Sequence, residues 1–386
     1  MTEPRFKQLR RSYGFDEVAI VPGDMTINPE QTNIDFKVGK FTFGMPIIAA
    51  SMDAVTDVNF AVQISKLGGL AVLNLEGAQV RYENPKEVLA LIARTPQSEV
   101  TPLLQKLYSE PIKENLIGER VQAIKRGGGI CAVSSAPANA KRFAPLAVEA
   151  GCDIFVVQST VTSAKHNSKS THGLVFEELV KSVNVPIMVG NCVSYSACLA
   201  LMQTGVSGVL IGVGPGAACT SREVLGVGVP QITATIDSAA ARDTYFAETG
   251  RYVPIITDGG FRKGGDLCKA LVAGADAVML GSIFAQSREA PGLGYEWGMS
   301  HPHPALPRGT RIRVGTTAPL EQILFGPTSV TDGSQNLIGA IRTAMGICGA
   351  EDIAAMHQVE MVIAPSITTE GKSWQMAAAR TNVNAD

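Results

Sequence analysis

One of the seven cysteines stands in surroundings unlike those of the others, the glycine-rich run Gly214-Pro215-Gly216-Ala217-Ala218-Cys219-Thr220-Ser221. Thiolate is the reactive form of cysteine, and a loop of small residues leaves the side chain open to a ligand, so Cys219 is read as a nucleophile. Cys131, Cys152, Cys192, Cys198, Cys268 and Cys348 fall in strand or helix patterns and are read as packing residues. No histidine stands near Cys219 in sequence, so no Cys–His dyad can be read. Two other stretches suit an anion: Asp258-Gly259-Gly260 and Gly281-Ser282. Bare glycine backbones let N–H groups approach a phosphate, Ser282 adds a hydroxyl donor, and Asp258 is suited to accept from ribose hydroxyls. The alternative is a pair of tight turns. Gly214-x-Gly216, with Asp237 about twenty residues on, imitates a dinucleotide fingerprint, but the third glycine position holds Cys219 and the run opens no early βαβ unit. His301 and His303 are loop histidines without carboxylate or cysteine company, read as solvated rather than metal-binding.

These residues need a scaffold that gathers them. Eight short apolar, β-branched runs recur: Met45–Ser51, Leu70–Leu75, Gly129–Ser134, Ile154–Gln158, Pro186–Asn191, Gly208–Val213, Pro254–Gly260 and Ala277–Ser282. They are near-continuous in apolar character, as parallel strands buried on both faces should be. Helical patterns lie between most of them: Ala54–Leu67, Phe143–Ala150, Tyr195–Thr204, Ala239–Thr249 and Gly264–Ala273. Gly68, Gly151, Gly205, Gly250 and Gly274 stand where helices should stop. The alternation predicts an α/β chain folded as a (β/α)₈ TIM barrel, with a doubly wound open sheet as the competitor. A single barrel is expected to span residues 1–386, with a polar helical elaboration at 79–128 (Pro85–Arg94, Thr101–Tyr108, Ile117–Lys125). A long Gly- and Pro-rich active-site loop is expected at 291–327. Polar residues recur at the strand ends: Ser51-Met52-Asp53, Gln158-Ser159-Thr160, Asn191, and the cysteine and glycine runs above. In this fold that rim is the active-site face.

Composition sets outer bounds. The chain has 386 residues, 45% hydrophobic and 18% charged, with a net charge of −2, which gives no electrostatic reason to expect a nucleic-acid or anionic-membrane partner. No run approaches the roughly 20 apolar residues of a membrane span. The first seventeen residues lack the apolar centre of a signal peptide, and the cysteines form no C-x-x-C pair. A cytoplasmic location with reduced thiols is expected.

Several motifs together resemble the IMP dehydrogenase/GMP reductase family, in a branch without CBS domains. They are GVGPGAACTSREVLGVGVPQ, TDGGFRKGGDLCKALVAGADAVMLGS, the EAPG at Glu289–Gly292, the WGMS at Trp297–Ser300, SYGFDEVAIVPG and PIIAASMDAVTD. The resemblance implies that Cys219 attacks C2 of a purine nucleotide, IMP or GMP, and that hydride passes to or from a nicotinamide, NAD in a dehydrogenase. It implies phosphate and ribose on Asp258, Gly259, Gly260, Gly281 and Ser282. The base would lie near Met52, Gly298, Met299 and Ser300, with Ser51, Asn191 and Thr316 also substrate-binding, and Ser221 would assist Cys219. Arg308 would activate water from a mobile flap. It also implies a potassium ion on carbonyls of Gly214, Gly216 and Cys219, completed by Glu370-Gly371 of a neighbouring subunit, hence a homotetramer.

The chain departs from the family pattern at Ala217, usually serine, and at Gln158, usually the aspartate near the nicotinamide. Ser221 replaces threonine, the flap's Arg-Tyr pair is missing with Pro307-Arg308-Gly309 nearest, and Thr316 stands where dehydrogenases carry glutamine and reductases glutamate. A reductase needs an acid for departing ammonia and none aligns at Thr316, whereas Arg308 and Arg311 are available to a dehydrogenase. IMP dehydrogenase is therefore the expectation and GMP reductase the alternative. A flavin-dependent barrel would leave Cys219 unexplained, and a non-catalytic nucleotide-binding barrel would have no use for its thiol.

Overall fold

The structure is a computed structural model that describes residues 8–167, 173–298 and 311–365. Eight parallel strands close a barrel in sequence order: β1 (Ile47–Ala49), β2 (Leu70–Asn74), β3 (Ala132–Ser135), β4 (Ile154–Gln158), β5 (Ile187–Cys192), β6 (Gly208–Ile211), β7 (Ile255–Asp258) and β8 (Ala277–Leu280). Closure comes from β8 pairing with β1, Val278 opposite Ile47 and Leu280 opposite Ala49, which excludes the open sheet. Each of the eight runs singled out in the sequence coincides with one strand, β3 and β5 running one residue past Ser134 and Asn191.

Successive side chains on a strand point to opposite faces. Ile48, Val72, Val156, Met188, Ile256 and Met279 fill the barrel interior, while Ile47, Leu73, Phe155, Val189, Ile255 and Val278 pack toward the surrounding helices. Both faces are apolar, so the strands read as continuous apolar runs. A hairpin, Phe36–Val38 with Phe41–Phe43, lends Phe36, Val38 and Phe43 to the interior cluster. Its turn residue Gly39 has φ +56° and lies against Pro186, where a Cβ would come within 2.4 Å of the ring. That contact places the hairpin at the N-terminal end of β5, so the opposite rim is the one left for ligands.

The helices between the strands follow the expected pattern, with two starting earlier and one, Val58–Lys66, starting later than Ala54 because Asp57 caps it. Pro137–Glu149 opens on a proline in the first turn, which suits a helix start without adding apolar periodicity. Gln231–Thr249 buries Gln231, Thr233, Thr235 and Ser238 in its first half, so its inner face is invisible to a hydrophobic pattern. The five glycines expected at helix ends all have positive φ. The elaboration holds helices Pro85–Arg94, Gln97–Ser109 and Glu114–Arg126.

Residues 291–327 are not loop throughout. Among those described, β9 (Tyr295–Trp297) and β10 (Arg311–Arg313) pair antiparallel, Trp297 opposite Arg311, and helix Leu320–Phe325 follows. Three-residue strands amid Gly and Pro leave too little periodicity to detect. The ribbon is anchored on the helical elaboration. Trp297 is buried with Ile92, Val100 and Leu104, and its Nε1 donates to the Tyr108 hydroxyl at 2.8 Å. Tyr108 in turn donates to Asp53 Oδ2 at 2.6 Å, next to the end of β1. The Arg311 guanidinium is buried, donates to the carbonyls of Ile92 and Ala93 and to Gln97 Oε1, and lies over the Tyr295 ring. No described helix is long and apolar enough to cross a membrane.

Arg311→Ala removes charge-assisted donors from buried carbonyls and is expected to cost about 2–3 kcal/mol of stability. Denaturant titration of parent and variant measures this. An unchanged midpoint would mean that Trp297 holds the ribbon by itself.

Candidate active site

The C-terminal ends of the strands surround a cavity of about 360 Å³, of the size that takes a small molecule. Ser51 and Met52 follow β1, and Gln158 and Asn191 come from β4 and β5. Gly214, Gly216 and Cys219 come from the loop after β6. Asp258, Gly259, Gly260, Gly281 and Ser282 close the far side from β7 and β8, and Gly298 follows β9. One cavity thus gathers residues spread over nearly 250 positions of sequence, from 51 to 298.

Cys219 is half-buried at the wall, one of seven free thiols, and five of the others are buried. Its Sγ donates to the Ser221 hydroxyl at 3.3 Å, and Ser221 is fully buried behind it. The Cys219 N–H donates to the Gly216 carbonyl at 3.0 Å, which coils the loop into a turn. Hydrogen bonds with Cys152 and Cys198, and burial after them, push the Cys131 and Cys192 thiols up, which fits packing residues.

Gln158, Asn191 and Asp258 form a polar triangle across the cavity. The Gln158 amide nitrogen donates to Asn191 Oδ1 at 3.1 Å and to Asp258 Oδ2 at 3.0 Å, and Asn191 Nδ2 donates to the same Oδ2 at 2.8 Å. Burial raises the Asp258 carboxyl to about 6, against the opposing pull of these two donors. Gln158 Oε1 is buried without a partner among the described residues.

The glycine loops are built for close approach. Gly259 and Gly260 have φ near the left-handed region, +84° and +83°, and pack against Pro215 of the cysteine loop. Gln231 Nε2 pins them by donating to the carbonyls of Asp258 and Gly259. Two of the expected anion donors are already engaged: the Gly259 N–H on the Met279 carbonyl, and the Ser282 hydroxyl on Glu296 Oε2 at 2.6 Å. Burial raises the Glu296 carboxyl above its ordinary range, against the Ser282 hydrogen bond.

Not every expected residue is brought here. Thr316 is exposed against Gly294 and does not line the cavity, and Arg311 is turned into the helical elaboration. Met299, Ser300, Arg308, Glu370 and Gly371, like His301 and His303, lie outside the described residues. The sequence reading passed over Asn74, Glu76 and Glu296, which line the cavity. Asn74 ends β2 and Glu76 follows it, so the rule applied to the other strand ends would have found both. Glu296 directly precedes the WGMS motif, but only the ribbon's alternation turns it inward.

Comparison with known proteins agrees with this architecture. The IMP dehydrogenase/GMP reductase domain family matches residues 12–298. A protein of Mycolicibacterium smegmatis named as an uncharacterized oxidoreductase is 37% identical over 363 residues, covering 92% of this chain and 97% of its own. Inosine-5'-monophosphate dehydrogenase of Cryptosporidium parvum is 29% identical over 403 residues, 95% of this chain and 94% of that one. The crystal structure of an IMP dehydrogenase/GMP reductase-like protein from Corynebacterium glutamicum superposes with a TM-score of 0.88 at 33% identity, covering 94% of this chain and 97% of that one.

The Asp258 carboxyl carries a linkage with a definite sign. Its range is raised from the ordinary 3.8 to about 6, so its contribution to stability is complete below pH 3.8 and is lost as pH rises through about 6. Asp258→Asn cannot ionise and is expected to melt above the parent at about pH 8, the difference closing toward pH 5. Thermal melts at the two pH values check this, and a difference of equal size at both would contradict it.

Proposed function

We infer the reaction from the premise that the chain belongs to the IMP dehydrogenase/GMP reductase family, whose members are oxidoreductases. The reading is NAD-dependent oxidation of IMP to XMP through an adduct on Cys219. The observation that carries it is a half-buried thiol in the same cavity as a ribose-suited carboxyl and two glycine loops. Cys219 sulfur adds to C2 of the hypoxanthine, the C2 hydrogen leaves as hydride, and water then cleaves the C2–S bond to give XMP and restore the thiol. Ser221 holds the sulfur in place. Asp258 accepts from ribose hydroxyls, with Gln158 and Asn191 fixing its orientation. Met52 and Gly298 bound the base, and the family resemblance assigns Met299 and Ser300 to it as well.

A nicotinamide dinucleotide, when bound, supplies the hydride acceptor, and Gln158 is the residue with a buried, unpartnered oxygen to receive one of its donors. Backbone carbonyls are the donor chemistry that a monovalent cation takes, so a potassium ion is assigned to Gly214, Gly216 and Cys219, with Glu370-Gly371 from a neighbour in a homotetramer. Arg308 is assigned to water activation. Arg311 is excluded from that role by its buried partners.

A second reading, NADPH-dependent reduction of GMP to IMP with loss of ammonia, is favoured by one observation. Glu76, Asp258 and Glu296 line the cavity, and Asp258 with a range near 6 is suited to donate a proton.

Absorbance assays of IMP with NAD⁺ and potassium, beside GMP with NADPH, test both. NADH and XMP are expected from the first; turnover in the second alone would assign the reductase. Cys219→Ala is expected to lower turnover about a thousandfold or more while still binding IMP, and near-normal turnover would end the covalent route. In rapid mixing, Arg308→Ala should slow the steady state and keep the NADH burst. Loss of the burst would place Arg308 in substrate positioning instead.

A further inference from the structure

The phosphate end of the cavity carries a group at odds with a phosphate dianion. Glu296 on β9 is 3% exposed and lines the cavity. Its Oε2 accepts the Ser282 hydroxyl, and its Oε1 lies 3.1 Å from where a Cβ on Gly281 would stand. Two of the residues assigned to hold the anion, Gly281 and Ser282, therefore face a carboxyl group. The neighbouring side chains do not compensate. Ala217 has no hydroxyl, the Gly259 N–H is engaged on Met279, and no Lys or Arg lines the cavity among the described residues. A carboxylate and a phosphate dianion this close, both out of water, repel strongly.

We propose that Glu296 meets the nucleotide phosphate through a shared proton, so that phosphate binding takes up one proton from solvent and turns the carboxyl from a competitor into a donor. The proposal rests on the purine-nucleotide reading of this cavity. Above its second dissociation, near about 6, a free phosphate monoester is dianionic. In the complex one proton bridges a carboxyl oxygen and a phosphate oxygen, and the count is the same whichever atom it sits on. Burial raises the carboxyl above its ordinary range before any ligand arrives, which eases the uptake of that proton.

Among the described residues, no other ionisable group around Glu296 answers the phosphate in this way. Tyr295 and Trp297 on its own strand pack on the helical elaboration. On the paired strand Arg311 is held by Ile92 and Ala93, and Arg313 is exposed opposite Tyr295. Helix Ser282–Ala285 carries no titratable side chain. Across the cavity stand Cys219, Asp258 and Glu76, and these meet the base and ribose of a nucleoside as they would those of a nucleotide.

That equivalence makes inosine the control. Calorimetry of IMP and of inosine binding to the full chain, at about pH 8 in two buffers of different ionisation enthalpy, counts the protons taken up. IMP is expected to take up about one proton more than inosine, and its affinity to fall about tenfold per pH unit between about pH 7 and 9 while that of inosine stays flat. Glu296→Gln keeps an acceptor for Ser282 and adds an amide donor. It is expected to bind IMP at least about tenfold tighter than the parent at pH 8, with the slope gone. Equal proton counts for IMP and inosine overturn the proposal, and so does an undiminished slope in the variant, even if IMP binds tightly. The parent's proton count decides alone should the variant fail to fold. Absence of binding by IMP and GMP alike, with inosine bound or not, overturns the nucleotide reading and this proposal with it.

Discussion

The backbone ladder between β8 and β1 is the constraint on which the rest of the molecule depends. Without it the sheet has two edges, and the loops after β1 and β8 stand apart. With it, every strand is paired on both sides and all eight C-terminal ends share one rim. The barrel strands are three to six residues long, and Ser51, Glu76, Gln158, Asn191, Asp258 and Ser282, at or just past their ends, line the cavity. The hairpin that caps the other end with Phe36, Val38 and Phe43 completes an apolar filling of the interior. Closure also explains why eight plain apolar runs suffice as sequence instructions: each needs only to be buried on both faces.

A second layer of order comes from the ribbon on the helical elaboration. On a strand, alternate side chains face opposite ways, so burying Tyr295 and Trp297 against that elaboration turns Glu296 toward Ser282. The chain Trp297–Tyr108–Asp53 ties the ribbon, the elaboration and the end of β1 into one buried hydrogen-bonded path. Burial raises the Asp53 carboxyl, opposed by the hydrogen bonds from Tyr108 and the Ala78 N–H. Such a path is stable only while every member stays in place, which makes the elaboration part of the site's framework.

The cavity is chemically unusual in having carboxyls without cations among its described lining residues. Asp258 is met by two neutral amides and Glu296 by one hydroxyl. Neutral donors orient a carboxyl without cancelling its charge, and burial then raises both carboxyls above their ordinary range. The cost in stability is the ordinary one for groups kept out of water so that they can answer a ligand.

The sequence by itself determined the barrel, the rim and the single distinctive thiol. Buried parallel strands, helix-ending glycines and a cysteine among small residues are local patterns, each legible within a few residues of its own position. It also marked Asp258, Gly281 and Ser282, since glycine beside a polar residue at a strand end has few structural uses. What it did not determine depends on contacts between distant segments. The Gln158–Asn191–Asp258 triangle joins positions 33 and 67 residues apart, and no local pattern encodes it. Arg311, legible only as a flap arginine, is removed from catalysis by carbonyls more than 200 residues away. Glu296 is an unremarked acid in sequence, and only the packing of its two neighbours decides that it faces the cavity. Local patterning sets which residues reach the rim; tertiary packing decides what each one meets there, because hydrogen-bond partners are chosen by proximity in space.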